Sequence, residues 1–258
     1  MSYITTSISD KVATITFSRA DKLNSFIREM AFELQSALDQ LAVNEAVRCI
    51  VITGEGRAFC AGQDLIEATD PDGPSLSSIV SEHYNPVIIR IRNIPKPVIA
   101  AVNGVAAGAG ANIALACDIV VASESASFIQ IFSKIGLIPD SGGTYMLPRL
   151  IGMQRATALM MLGDKVNAIK AREMGMIYEV YKDESFSEEV RKLALQLAEM
   201  PTYGLALTKQ ALNQSYMNNL VQQLSLEDEL QTLAGNSADY KEGTSAFLEK
   251  RKPLFKGR

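Results

Sequence analysis

The stretch Pro97–Cys117, PVIAAVNGVAAGAGANIALAC, limits the possible folds of this chain more than any other. It opens with Val98–Val102, a short apolar run of the length and β-branched content expected of a buried strand. The run breaks at Asn103-Gly104, crosses glycines at 104, 108 and 110, and resumes as a helix-like pattern over Ala111–Cys117. A strand feeding a glycine-rich turn that opens a helix lets a ligand approach the backbone closely. Free N–H groups and the helix dipole then face a full or developing negative charge. The same small residues also suit tight helix–strand packing, an alternative that this stretch alone leaves open. Its 21 uncharged residues are too weakly apolar, and too interrupted by Asn103, Gly104 and Asn112, for a membrane span. A dinucleotide fingerprint is also excluded, because Ile113 stands where the third glycine belongs.

Residue usage narrows the chemistry. The single histidine, His83, lies in Leu76–Ile94, where Ile79, Val80, Tyr84, Val87, Ile88 and Ile91 form an apolar helical stripe. A packing role is expected for it, which leaves acid–base work to a carboxylate. Cys49, Cys60 and Cys117 contain no CxxC pair, against both a disulfide frame and a metal site. A net charge of −4 offers no basic field for nucleic acid. The start, MSYITTSISDKVATITF, has neither a cationic head nor an apolar signal region, so a cytoplasmic protein without membrane partners is expected.

In chain order, Tyr3–Ser9 and Val12–Ser18 read as a hairpin, Phe26–Val43 as a helix and Cys49–Thr53 as a buried strand. A second strand-to-glycine turn follows at Arg57–Leu65, then an acidic loop at Thr69–Pro74 and a helix over 76–94. Ile119–Ala122 and Ala126–Ile131 read as strands, and Gly136–Gly143 leads into Thr144–Ile151. Beyond Gln154, helix follows helix, with one strand signal at Ile177–Tyr181. The reading is an α/β core over 1–185 with a helical region over 186–258.

Three loops stand out: 60–64, 104–112 and 138–143. Two carry glycine turns able to offer backbone N–H donors, and a pair of these aimed at one oxygen makes an oxyanion hole. The third carries Asp140, between Pro139 and Ser-Gly-Gly. A carboxylate there could move a proton to or from a carbon acidified by the polarised carbonyl. Standing just before a helix, it could equally be an N-cap.

Phe59-Cys-Ala-Gly-Gln-Asp-Leu65, Asn103-Gly-Val-Ala-Ala-Gly-Ala-Gly110, Cys117-Asp118 and Gly136-Leu-Ile-Pro-x-x-Gly-Gly-Thr144 together resemble the successive signatures of the crotonase (enoyl-CoA hydratase/isomerase) superfamily. The resemblance extends from the first hairpin to Phe247–Lys252. It implies a crotonase-like α/β fold, a (ββα)n spiral core followed by a C-terminal helical trimerisation region. It places the oxyanion-hole N–H groups on Gln63 and Ala109, where they would hold an acyl-CoA thioester and stabilise its enolate. CoA would lie along Arg57–Ala61, its adenine near backbone groups of Ala58 and Ala61, with Lys22 and Arg57 within reach of phosphates. The substrate carries the coenzyme A, so no separate cofactor is implied. The assembly implied is a homotrimer or a homohexamer.

Departures from the family pattern sharpen the reading. The two glutamates with which family hydratases activate water align with Asn112 and Phe132, so both carboxylates are missing. Asp140 occupies the position where certain isomerases and dehalogenases of the family carry a catalytic aspartate. One carboxylate beside an oxyanion hole can take a proton from one carbon and return it to another, which is isomerase chemistry. Asn112 and Phe132 then become pocket residues, and Phe132 suits an aromatic ring, although an ordinary core phenylalanine fits it too. Tyr84-Asn85-Pro86, Phe132-Ser-Lys-x-Gly-Leu-Ile-Pro-Asp140, Gly175-Met-Ile177, Pro201-Thr-x-Gly204 and Ser237-Ala-Asp-Tyr-x-Glu-Gly243 resemble isomerases of the family that ring-expand an epoxidised aromatic acyl-CoA. Shifting a Δ3 double bond of an enoyl-CoA to Δ2 is the alternative. The tail Lys250–Arg258 packs five cations around Leu254 and Phe255. In the family this end lies near the CoA site, often against a neighbouring subunit, which makes Phe255 and Lys256 candidate CoA contacts. Those cations also keep open an RNA-binding relative, and the missing glutamates a non-catalytic CoA-binding one.

Overall fold

The computed structural model describes residues 2–258. The hairpin of β1 (Ile4–Ser9) and β2 (Val12–Phe17) closes through Asp10 and Lys11, both at positive φ as a primed two-residue turn requires. After α1 (Arg28–Val43), the chain repeats one plan: a long strand, a short strand, then a helical segment. The first turn of the spiral holds β3 (Cys49–Gly54), β4 (Ala58–Cys60) and α2 (Leu65–Thr69). Next, α3 (Leu76–Ser78), a π-helical turn (Ile79–Tyr84) and α4 (Asn85–Asn93) lead into β5 (Val98–Val102), β6 (Val105–Ala107) and α5 (Ala109–Ala116). The third holds β7 (Ile119–Ser123), β8 (Ser127–Ile129) and a 3₁₀ segment, Ile131–Ile135. There follow α6 (Gly143–Ile151), α7 (Met153–Leu162), β9 (Lys165–Asn167), α8 (Ala168–Glu173) and β10 (Glu179–Tyr181). Four helices end the chain: α9 (Phe186–Glu199), α10 (Thr202–Ser215), α11 (Leu220–Gly235) and α12 (Ala238–Glu249).

The long strands form a six-stranded sheet in the order β1-β2-β3-β5-β7-β10, parallel from β2 onward, and the short strands form a second sheet, β4-β6-β8-β9. Side chains alternate across a strand, and here both faces of the central strands β3, β5 and β7 are covered, while edge strand β1 is exposed beyond Ile4. Ile50, Ile52, Val98 and Ala100 pack with Leu34 of α1, Val87 of α4 and Ile113 of α5. On the other face, Cys49, Val51, Ile99, Ala101 and Val121 meet Phe186, Val190, Ala194 and Ala198 of α9. The first of the four terminal helices therefore completes the core.

Three local expectations change. Residues 103–110 are not one continuous turn, because Val105–Ala107 pair with β4 and β8. The helix expected over 76–94 is broken by the π turn. Lys165-Val-Asn167 is a strand too short and too polar to show in the sequence pattern; it pairs with β8. Among the described residues, no helix is long and apolar enough to cross a membrane.

Candidate active site

The first amide turn grows from the end of β4. The chain reverses at Gly62, φ +95°, and Gln63 forms an isolated parallel bridge with Phe26. The Phe26 N–H donates to the Gly62 carbonyl at 2.7 Å, and the Asp64 N–H donates to the Phe26 carbonyl at 2.8 Å. In such a bridge the middle residue's own N–H points away from the partner strand, so the Gln63 amide faces the opposite side. Asp64 secures the far end of the turn. Its carboxylate caps α2 by accepting the Ile66 N–H at 2.9 Å and pairs with Arg19 at 2.6 Å. Burial, the largest single influence, pushes this carboxyl up, but the Arg19 hydrogen bond and charge together with the backbone N–H groups of Ile66 and Glu67 outweigh it and hold Asp64 below the usual range.

The second turn is made by Gly108, at φ 53° and ψ −127°, a conformation open only to glycine at low cost. Ala109 begins α5, and the first amides of a helix have no intrahelical acceptor. The two turns interlock. A methyl group on Gly62 would lie 2.9 Å from the Ala107 carbonyl oxygen and 3.7 Å from the Ala109 nitrogen. On Gly110 it would lie 2.4 Å from the Cys60 carbonyl oxygen and 2.6 Å from its sulfur. Gln63 and Ala109 thus stand on neighbouring pieces of backbone. Burial pushes the Cys60 thiol up to about 12, which leaves it inert beneath them.

Asp140 is half-buried in the loop before α6. It caps no helix: the cap position of α6 is Gly142, and no side chain bonds there. Its carboxyl accepts the Ser141 hydroxyl at 2.8 Å. Burial raises its pKa, and the Ser141 bond offsets only part of that rise. The loop is tied to α5 by Asn112, whose Nδ2 donates to the Asp140 carbonyl at 2.9 Å while its Oδ1 accepts Gln130 Nε2 at 2.8 Å. Both ends of this amide are engaged at 1% exposure, so Asn112 tethers the Asp140 loop from behind. The buried Phe132 ring reaches to 3.7 Å of where a Gly108 methyl would stand, which puts it beside the second turn. Tyr84, which reads in the sequence as one member of an apolar stripe, belongs here as well. Its hydroxyl donates to Gln63 Oε1 at 2.7 Å. Burial first, then the charges of Cys60, Asp140 and Glu67, hold Tyr84 well above its ordinary value, so it stays a neutral donor.

The residues assigned to coenzyme A divide into two groups. Lys22 and Arg57 are both exposed, on adjoining segments. The Ala61 N–H donates to the Leu23 carbonyl at 3.0 Å, and Asn24 Nδ2 donates to the Ala58 carbonyl at 2.8 Å. Ala58 is buried and Ala61 half-buried. Asn24, fully buried at positive φ, joins these segments and had no motif to announce it. Phe255 and Lys256 lie elsewhere within the chain. Arg48 Nη1 donates to the Phe255 carbonyl at 2.8 Å, and the Lys256 N–H donates to Asp239 at 2.6 Å. Arg48 precedes β3 and Arg57 follows it, so a strand of about 20 Å separates the tail from the Arg57–Ala61 segment.

Two adjacent backbone amides without partners in their own turns, on a two-sheet spiral whose α5 also holds the half-buried Asp140 loop through Asn112, fit an acyl-thioester enzyme of the crotonase type. The family described as enoyl-CoA hydratase/isomerase matches residues 7–258, and the chain belongs to it. Similarity to individual members is high over the whole length. The 1,2-epoxyphenylacetyl-CoA isomerase of Escherichia coli K12 is 50% identical, covering 100% of both chains. A probable enoyl-CoA hydratase of Rhodobacter capsulatus is 47% identical over 97% of this chain and 96% of its own. The crystal structure of enoyl-CoA hydratase from Bacillus anthracis superposes with a TM-score of 0.92 at 32% identity, covering 99% of this chain and 100% of that one.

Proposed function

We propose that the protein is an acyl-CoA isomerase that converts ring-1,2-epoxyphenylacetyl-CoA to oxepin-CoA, with the Gln63 and Ala109 amides as its oxyanion hole and Asp140 as its acid–base group. The observation that carries this reading is Asp140, a carboxyl raised by burial on a loop that Asn112 ties to α5, the helix opened by the second amide turn, with Asn112 and Phe132 where a hydratase needs carboxylates. With no carboxylate at 112 or 132 to hold and activate water, and with both Glu67 oxygens taken by Gln63 and the Arg28 N–H, proton relocation is the chemistry left. Asp140 takes a proton from the carbon between ring and thioester, and the electron pair moves into the carbonyl, where the amides stabilise the enolate. The ring carbon–carbon bond shared with the epoxide opens to give the seven-membered ether, and Asp140 returns the proton to a ring carbon. Atoms balance with no water and no oxidant. The 50% identity to an isomerase with this substrate supports the choice of acyl group.

The same parts support a second reading, Δ3-to-Δ2 isomerisation of a 3-enoyl-CoA, with the proton taken from C2 and returned to C4. The acyl chain lies against Phe132 in either case, with the CoA along Lys22 and Arg57–Ala61. We further propose that Phe255 and Lys256 serve the CoA of a neighbouring copy in a homotrimer or homohexamer, because they are remote from the Arg57–Ala61 segment of their own chain.

Asp140→Asn tests the assignment. Turnover on epoxyphenylacetyl-CoA and on 3-enoyl-CoA should fall about 10²–10⁴-fold. The base form of Asp140 is lost as pH drops through its raised pKa. The parent's kcat should therefore fall on acidification at a higher pH than an ordinary carboxylate would give. A variant that isomerises both substrates at the parent rate overturns the proposal.

A further inference from the structure

Tyr84 is among the largest fully buried side chains, and a buried phenol needs a partner for its hydroxyl. That partner is the side chain of Gln63, whose backbone carries the first amide donor. Gln63 is gripped at both polar ends: Oε1 accepts from Tyr84 at 2.7 Å, and Nε2 donates to Glu67 Oε2 at 2.8 Å. Glu67 is anchored in turn, its Oε1 accepting the Arg28 N–H that opens α1, at 2.9 Å. The Tyr84 ring lies 5.9 Å from that of Phe26, the residue bridged to Gln63.

The backbone that delivers Tyr84 is unusual. In the π turn Ile79–Tyr84, hydrogen bonds reach the fifth residue, so Tyr84 comes round nearly above Ile79, and both are buried with His83. The Glu82 and His83 carbonyls are taken instead by Gln35 Nε2 of α1, at 2.8 and 3.2 Å. Such a turn is rarer than continued α-helix and collects at functional sites.

From this geometry we infer that Tyr84 is a positioning residue for the Gln63 amide: its hydroxyl, acting through a side chain braced on Glu67, aims the first donor at the thioester oxygen. The inference rests on the proposed oxyanion role of Gln63. A side chain held at both ends limits rotation of its own peptide, and an oxyanion donor works only within a few tenths of an ångström of its target. Packing alone does not need the hydroxyl, because phenylalanine would keep every ring contact.

The test compares the parent with Tyr84→Phe. Binding of cinnamoyl-CoA reads carbonyl polarisation, because a conjugated aryl-enoyl thioester absorbs at longer wavelength when its oxygen is hydrogen-bonded. Tyr84→Phe should lower kcat about tenfold, less than the 10²–10³ that loss of a donor itself costs. It should leave KM within about threefold, since the amide's task lies in the transition state rather than in binding. The red shift of bound cinnamoyl-CoA should shrink to half or less. An unchanged red shift with parent kcat overturns the inference. If Tyr84→Phe does not fold, Gln63→Met removes that bond together with the one to Glu67 and must reduce the shift more than Glu67→Gln does; a full shift, or one no smaller than in Glu67→Gln, overturns it equally. Asp140→Asn separates the two readings, because it should cut turnover about 10²–10⁴-fold and keep the full red shift. An active Asp140→Asn sinks the acid–base assignment and leaves Tyr84 to be judged on the shift. No red shift in the parent sinks the oxyanion role of Gln63 and Ala109, and the inference with it.

Discussion

The turns at Gly62-Gln63 and at Gly108-Ala109 present the same group, a backbone N–H, but different forces hold them. The second is locked by backbone and small atoms. It begins a helix, its glycine takes a conformation denied to other residues, and Gly110 lies against Cys60 with no room for a methyl group. The first has its own tight glycine at 62 and the backbone bridge to Phe26, but it is held in addition by polar side chains: Arg19 on Asp64, and Glu67 and Tyr84 on Gln63. Asp140 answers to the second turn, because Asn112 of α5 grips its loop. Packing resists displacement steeply and in all directions, whereas a hydrogen-bond network can be retuned one bond at a time. Damage to the second turn should therefore appear as lost stability, and damage to the first as misplaced chemistry in a folded protein.

The largest expected effect comes from Gly110→Ala. The added methyl meets backbone and sulfur of Cys60 that cannot rotate away, and about 3 kcal/mol or more of stability should be lost. Urea unfolding measures it, and a midpoint like the parent's would show the interlock to be loose. Asn112→Ala should come next, at about 2 kcal/mol. It strands the buried Gln130 amide, whose Oε1 already lacks a partner, and frees the Asp140 carbonyl. Its melting temperature should drop by several degrees together with kcat; a loss of kcat alone would mean that Asn112 touches substrate. Glu67→Gln is the mildest, at about 1 kcal/mol or less, because the new amide can still accept one of the two hydrogen bonds. A kcat reduced by a few-fold on an almost unaltered melting curve would sharpen the contrast. A large melting shift would erase it.

Much of this contrast was legible along the chain where local rules govern. Glycines at 62, 108 and 110, a β-branched run before them and apolar spacing after them predict strand, turn and helix from neighbouring residues alone. Asp140 between a proline and Ser-Gly-Gly is visible in the sequence as a loop carboxylate, but nothing in the neighbouring residues distinguishes an N-cap from a free acid. Gly142 at positive φ decides this, by taking the cap position itself. His83 was expected to pack, and it is buried edge-on to Phe32. Tyr84 was read with it as core, correctly for its ring and incompletely for its hydroxyl, because a hydroxyl's partner 21 residues away leaves no periodic trace.

The sequence by itself determined the kinds of turn, the loss of carboxylates at 112 and 132 and the family, since glycine, proline and missing carboxylates act through the chain's own covalent neighbourhood. Only the tertiary structure decided which way the Gln63 amide faces, that Asn112 spends its amide on a tether, and that Phe255 and Lys256 lie a strand's length from Arg57. Each of those depends on contacts between segments far apart in the chain, whose geometry is set by how the two sheets and α5 pack and not by any residue's local preference.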